Sequence, residues 1–286
     1  MTPLDDFELG SQPEPPVRWE RKKDSWMPLG IAAAVLVVIA VVVAYIYFRK
    51  PAPEPARVAE TPKPTVQAPP RRGLGPDVTP IDLPPLVLTD PIVRDLLAKL
   101  STRPELAAWL ATDGLIRNFV VCVENVAGGQ TPARHLRVLA PKAPFRAEQR
   151  ARALVVDARS FSRYDGLADT AASMDGAGLA RIYSILKPRL IDAYKELGHP
   201  EGDIDAVVEK AVIVLLQTPA IDGTETLTPK VLSFKYERPD LEALPPVQKQ
   251  LLRMGPRNLG VVQDHLRVIA RELGIPAERL PARAGN

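Results

Sequence analysis

Nucleophilic or general-base chemistry in this 286-residue chain would have to come from three histidines, His135, His199 and His265, or from the one cysteine, Cys122. A Ser-His-Asp hydrolase needs a hydroxyl with a base in reach, and no Gly-x-Ser-x-Gly surrounds a serine. Zinc sites need ligands clustered at set spacings. The histidines lie far apart and no His-Glu-x-x-His occurs, so the sequence predicts neither a metal nor a cofactor. Glycosidase chemistry would need two facing carboxylates. Asp165, Asp169 and Asp175 are close in sequence, but helix capping and solvation explain them at least as well, and Asp203 with Asp205 reads as a helix start. Cys122 sits inside the apolar pattern LIRNFVVCVENV and reads as a small buried hydrophobe, not a nucleophile. Gly128-Gly129 is too short for a phosphate loop. No catalytic residue is assigned.

What the sequence does offer is electrostatic. Arg134, Arg137, Lys142, Arg146, Arg150, Arg152, Arg159 and Arg163 face only Glu148 and Asp157 over thirty residues, a local charge of +6. From residue 87 onward the chain carries 27 basic and 24 acidic residues, so this polarity is local. Arginine suits bidentate contact with phosphate or carboxylate. The stretch reads either as a docking face for an anionic partner or as a solvated loop region. The whole-chain charge of +3 is too dispersed to argue for nucleic acid.

These residues are carried by a chain of clear organisation. Residues 31–48, IAAAVLVVIAVVVAYIYF, pass without a charge, proline or amide. A helix over 27–48 would be about 33 Å long, enough for a bilayer core of about 30 Å. Arg21, Lys22 and Lys23 precede it and Arg49-Lys50 follow, with Trp26, Tyr45, Tyr47 and Phe48 at the two interfaces. The run is too long for a signal peptide and exits into aromatics rather than small residues. Residues 1–26 are expected to be a cytoplasmic tail. Flanking Lys and Arg tie, so the orientation rests on layout: a short tail ahead of the first span stays inside, which places the larger part outside the cytoplasm. Residues 49–86 carry eleven prolines after position 50 and predict a disordered linker, a stalk or a simple tether.

From residue 87 to 276 the pattern predicts a compact, mainly α domain with a minor β element, followed by a flexible tail over 277–286. Asp90-Pro91 reads as an N-cap and first helical residue, and Thr102 with Glu105 as a capping box. Leu115, Ile116, Phe119, Val120 and Val123 give an apolar helical stripe. Pro132, Pro141 and Pro144 break helices, and Phe145–Ala147 and Leu154–Val156 suit a small hairpin. Leu179 to Leu197 forms a long amphipathic face with a kink expected at Pro188, closed by His199-Pro200. Asp203 caps the next helix, VLSFKY (231–236) is a short strand or an extended arm, and Pro256 opens the final helix. One cysteine excludes an internal disulfide.

Four segments in this order, LPPLVLTDPIVRDLLAKLS, RNFVVCVENVAGGQTPARHL, LTPKVLSFKYERPDLEAL and QKQLLRMGPRN, resemble the bacterial membrane-anchored family labelled domain of unknown function 3014. The likeness covers nearly all of residues 80–274. It implies a Gram-negative source and an envelope location, and it implies no reaction and no functional residue set. The expectation is a non-enzymatic protein of the bacterial inner membrane, single-pass, N-terminus cytoplasmic. Its partners would be the lipid bilayer through residues 27–48 and an envelope protein or anionic envelope component held by the periplasmic helical domain. Two alternatives stay open: a cell-wall-acting enzyme with an unrecognised acidic active site, and an accessory subunit of a membrane complex.

Overall fold

A computed structural model describes residues 73–231 and 233–283. The span expected over 27–48, the tail 1–26 and the linker up to residue 72 lie outside the described residues. Among the described residues no single helix is long and apolar enough to cross a membrane. The fold is mainly helical. Ten α-helices occur among the described residues: α1 Asp90–Ala98, α2 Pro104–Leu110, α3 Leu115–Ala127, α4 Ala158–Ser162, α5 Asp165–Ser173, α6 Gly176–Glu196, α7 Ile204–Leu216, α8 Pro239–Glu242, α9 Pro246–Leu252 and α10 Gly255–Glu272. Two antiparallel hairpins supply the β element. β1 Ala147–Arg150 pairs with β2 Ala153–Val156, and β3 Leu227–Pro229 with β4 Phe234–Tyr236. A bridge between Val155 and Thr226 joins them.

Helix α6 is the central post. It buries Ala180, Ile182, Tyr183, Leu186, Leu190 and Tyr194, and it continues through Pro188 as one 21-residue helix. It ends where Gly198 takes a positive φ of 107°, a left-handed step that glycine makes without a Cβ penalty, one residue ahead of the expected stop at His199. α3 packs against α6 and α7, and α10 against α5, α6 and α7. One core cluster gathers α1, α2, α3, α6 and α7. A second gathers the hairpins with Tyr164, Ala168, Leu252 and Leu259.

The boundaries of the domain differ from those expected. The 49–86 linker ends early, because residues 73–86 lie against the helices. Leu74 and Leu83 are buried in the helical core. Gly75 N–H donates to the Leu273 carbonyl (2.9 Å), and Arg189 donates to the carbonyls of Pro84 and Leu83 (both 2.8 Å). At the other end the expected tail is also docked as far as residue 283. Ala277–Arg279 forms a 3-10 turn, Leu280 packs on the core, Arg279 pairs with Glu209 (2.9 Å), and Arg283 pairs with Asp264.

Capping also departs from the local reading at two places. Asp90 begins α1, but its carboxylate serves α3, accepting from Gly114 N–H (2.7 Å) and Leu115 N–H (2.9 Å). No capping box forms at Thr102, since α2 starts at Pro104 with Arg103 before it and no side-chain cap. Glu105 is drawn instead to the hydroxyl of Thr170. By contrast Asp203 caps α7 as expected, its Oδ1 accepting from Asp205 N–H (2.9 Å) and Ala206 N–H (3.3 Å).

Two measurements check this account of α3. Asp90→Ala removes a side chain that satisfies two backbone donors and should lower stability by about 1–2 kcal/mol, read from urea unfolding. Cys122, half-buried in α3, has its thiol pushed up by burial from 9.0 to about 11. At pH 8 it should therefore react with a thiolate-directed disulfide reagent about 100-fold more slowly in the folded protein than in urea. The raised value also fixes a sign: the stability it contributes is present below pH 9 and lost as pH rises through about 11.

Candidate functional site

The basic segment falls between α3 and α5, where prolines keep the chain out of long helices. Arg137 opens a 3-10 turn, Arg137–Leu139. Arg150 and Arg152 flank the tip of the β1–β2 hairpin, and Arg159 and Arg163 belong to α4 and its end. The structure divides the eight. Arg150 is paired with Glu148 (2.7 Å) and Arg159 with Asp157 (2.8 Å), and this hydrogen bond holds Asp157 below the usual carboxylate range. Arg163 is half-buried, donating to the carbonyls of Ser160 (2.9 Å) and Ala143 (2.8 Å) and lying over the rings of Phe145 and Tyr164. Arg134, Arg137, Lys142, Arg146 and Arg152 are exposed and form no ion pair among the described residues.

The segment borders a second feature, which the sequence did not reveal. Helices α1, α2, α3, α5 and α6 surround a cavity of about 280 Å³ that is partly open to solvent. Its walls are almost wholly apolar: Leu97 from α1, Trp109 from α2, Phe119 from α3, Ala171 from α5 and Leu186 from α6. Leu139, in the same turn as Arg137, also lines it, and that turn packs on α2. A sealed apolar void of this size would forfeit about 7 kcal/mol at about 24 cal/mol per Å³. Domains have margins of only about 5–15 kcal/mol. The side chains on the wall that carry a polar group are Glu105, Trp109, Thr170 and Tyr183. Thr170 Oγ1 lies 2.9 Å from Glu105 Oε2. The Tyr183 hydroxyl donates to Asp205 Oδ1 (2.5 Å), and burial, followed by this carboxylate, raises its ionisation above the ordinary tyrosine value.

The acidic residues weighed for catalysis are engaged in structural bonds. Asp165 accepts from the Asn258 side-chain amide (2.8 Å), Asp169 pairs with Arg257 (2.6 Å), and Asp175 caps α6 at Gly178 N–H (2.7 Å). Asp205 accepts from Tyr183, Lys187 Nζ (2.5 Å) and Leu74 N–H (3.0 Å). The histidines are not brought together by any shared partner. His135 is exposed. His199 stacks on Tyr194 and meets Glu124 Oε1 at 2.6 Å. His265 is half-buried on α10, and its burial lowers its pKa, with Asp175 opposing. Among the described residues no three metal-ligating side chains form a group.

The cavity could have been found only in three dimensions. Each helix contributing to it shows an ordinary apolar face in sequence, and the unfilled volume arises from how those faces meet. Neither a curated protein nor a solved structure matches the chain. The family model described as Protein of unknown function (DUF3014) matches residues 115–270. That range runs from the first residue of α3, through the basic segment and both hairpins, into α10, and with it the chain belongs to the DUF3014 family.

Proposed function

We propose that this is a non-catalytic binding protein anchored in the bacterial inner membrane through residues 27–48. In this reading its helical domain lies in the periplasm and captures the apolar part of a partner. The observation that carries the reading is the apolar cavity between α1, α2, α3, α5 and α6. Ligand pockets are concave and mostly apolar, with few polar groups, and this lining has that character. The carboxylates weighed for catalysis cap a helix, accept from the Asn258 amide or pair with the Arg257 guanidinium, which supports binding over hydrolysis. Arg134, Arg137, Lys142, Arg146 and Arg152, exposed and without an ion pair among the described residues, favour a partner with anionic character on the adjoining surface, an envelope protein or an anionic envelope component.

A photoreactive decane tests the cavity, with the full chain in lipid nanodiscs and the labelled residues mapped by mass spectrometry. Labelling is expected on α2, α3 and α5 residues of the cavity wall. Ala171→Phe, which fills the wall from α5, should reduce it about tenfold while circular dichroism is unchanged. Wild-type protein that is never labelled there would remove the reading. The basic surface has its own test. Replacing Arg134, Arg137, Arg146 and Arg152 by Glu should leave the unfolding midpoint within a few degrees. The yield of in-cell crosslinks to envelope partners should fall about tenfold, as four exposed charges worth about 0.2–1 kcal/mol each would give. Equal yields would exclude that surface from capture.

A further inference from the structure

The exposure of the wall residues places the mouth of the cavity. Leu115 and Ile116 of α3 and Leu186 and Leu190 of α6 are buried and form its floor. Trp109 of α2, Leu139 of the 3-10 turn and Ala171 of α5 line it while keeping some exposure to solvent. The mouth is therefore on the side of α2, α5 and the turn Arg137–Leu139. Two residues from Leu139, Arg137 is exposed and has no ion pair among the described residues. Glu105, the acidic residue of the wall, is turned into the contact between α2 and α5. Its Oε2 lies 2.9 Å from the Thr170 hydroxyl, and a Cβ added to Gly166 would sit 2.2 Å from its Oε1.

From the apolar wall and this rim we infer that the cavity takes the tail of a single-chain anionic lipid, with hydrocarbon inside and a carboxylate or phosphate head outside at Arg137. The inference rests on the cavity being a binding site, as proposed above, and among the partners considered there it selects a lipid over a protein. A cavity of about 150 Å³ takes one benzene ring, so about 280 Å³ takes about ten carbons of one alkyl chain, too little for two acyl tails. A polar head drawn into the chamber would lose its hydration without replacement. The Thr170 hydroxyl is engaged with Glu105 and the Gly166 carbonyl, and the Tyr183 hydroxyl with Asp205. A protein segment carries amide groups at every residue and meets the same cost. A head held at the mouth keeps its water and gains a charge-assisted hydrogen bond from the guanidinium, whose fork matches carboxylate and phosphate alike.

Three photoreactive probes with the same decyl chain, bearing a carboxylate, a phosphate or a hydroxyl, test this. The full chain is held in neutral-lipid nanodiscs, and labelling of cavity residues is normalised to labelling of the lipid. In wild-type protein each anionic probe should exceed the hydroxyl probe about fivefold. Arg137→Gln removes the charge at the mouth and should bring the three within a factor of about two. Arg137→Glu should put the hydroxyl probe ahead. Taking each yield as a ratio to the hydroxyl probe cancels any change in the cavity itself. A lead for the carboxylate assigns a free fatty acid as the source, a lead for the phosphate assigns a one-tailed phospholipid, and either supports the inference. In cells, a benzophenone-bearing residue in place of Leu139 should form adducts of lipid mass, and adducts to protein alone would overturn the inference. So would equal labelling by all three heads, or a preference unchanged by Arg137→Glu, while leaving the cavity a binding site. If no probe labelled the cavity, the inference and the proposed function would fall together.

Discussion

The carboxylate of Asp205 is where three parts of the domain are tied. It stands in the first turn of α7, accepts from the Tyr183 hydroxyl and Lys187 ammonium of α6, and accepts from the Leu74 amide of the incoming chain. Lys187 closes the circuit by donating to the Leu74 carbonyl (2.9 Å). Asp205 and Lys187 are only 17% and 23% exposed, so both charges are largely out of water and each depends on the other for compensation. A carboxylate with this many donors is well satisfied. A carboxylate that lost one of them would be a partly buried charge without its partner, a far larger penalty than one missing hydrogen bond. The chain therefore enters the domain at a point fixed by polar geometry, while Leu74 and Leu83 give the same segment its apolar hold.

Around that tie the helices divide the work. α6 is buried along much of its length, whereas α3 and α7 press their apolar faces together on one side of it. On another side α1, α2 and α5 meet α6 without filling the space between them. Close packing is the rule in interiors, and this face departs from it. The basic segment, the cavity and Glu105 are accordingly neighbours: the turn of Arg137–Leu139 packs on α2, and Glu105 lies in the first turn of α2.

Much of the fold was legible because its signals were local. Asp203 accepts from the Asp205 and Ala206 amides in the first turn of the helix it caps, and the apolar stripe of α3 faces the core at the spacing of a helix. What was not legible depended on distant partners. Asp90 looks like a cap for its own helix, yet it reaches amides twenty-four and twenty-five residues on. Glu105 fits a capping box, yet it is taken by Thr170, sixty-five residues away. Residues 73–86 have the proline content of a linker, and nothing in that composition says that two lone leucines find a core. The hairpin expected from Phe145–Ala147 and Leu154–Val156 does form, but as Ala147–Arg150 against Ala153–Val156; its tight turn was not marked, because it passes through Ala151 at a φ of 49° rather than through the usual glycine or asparagine. Of the eight basic residues, sequence showed the excess of charge but not that Arg150 and Arg159 would be neutralised by their own neighbours or Arg163 used for packing.

The docking of residues 73–86 has a consequence for reach under the proposed anchoring. If the proposed span ends at Phe48, the docked domain would begin at Gly73 rather than after residue 86, and covalent geometry would cap the distance between them at about 90 Å instead of about 140 Å. The volume open to the domain would then be about fourfold smaller, as the cube of that radius, and its effective concentration toward a membrane-bound target would rise by the same factor. Under that proposal, capture would favour molecules resident in, or emerging from, the same bilayer.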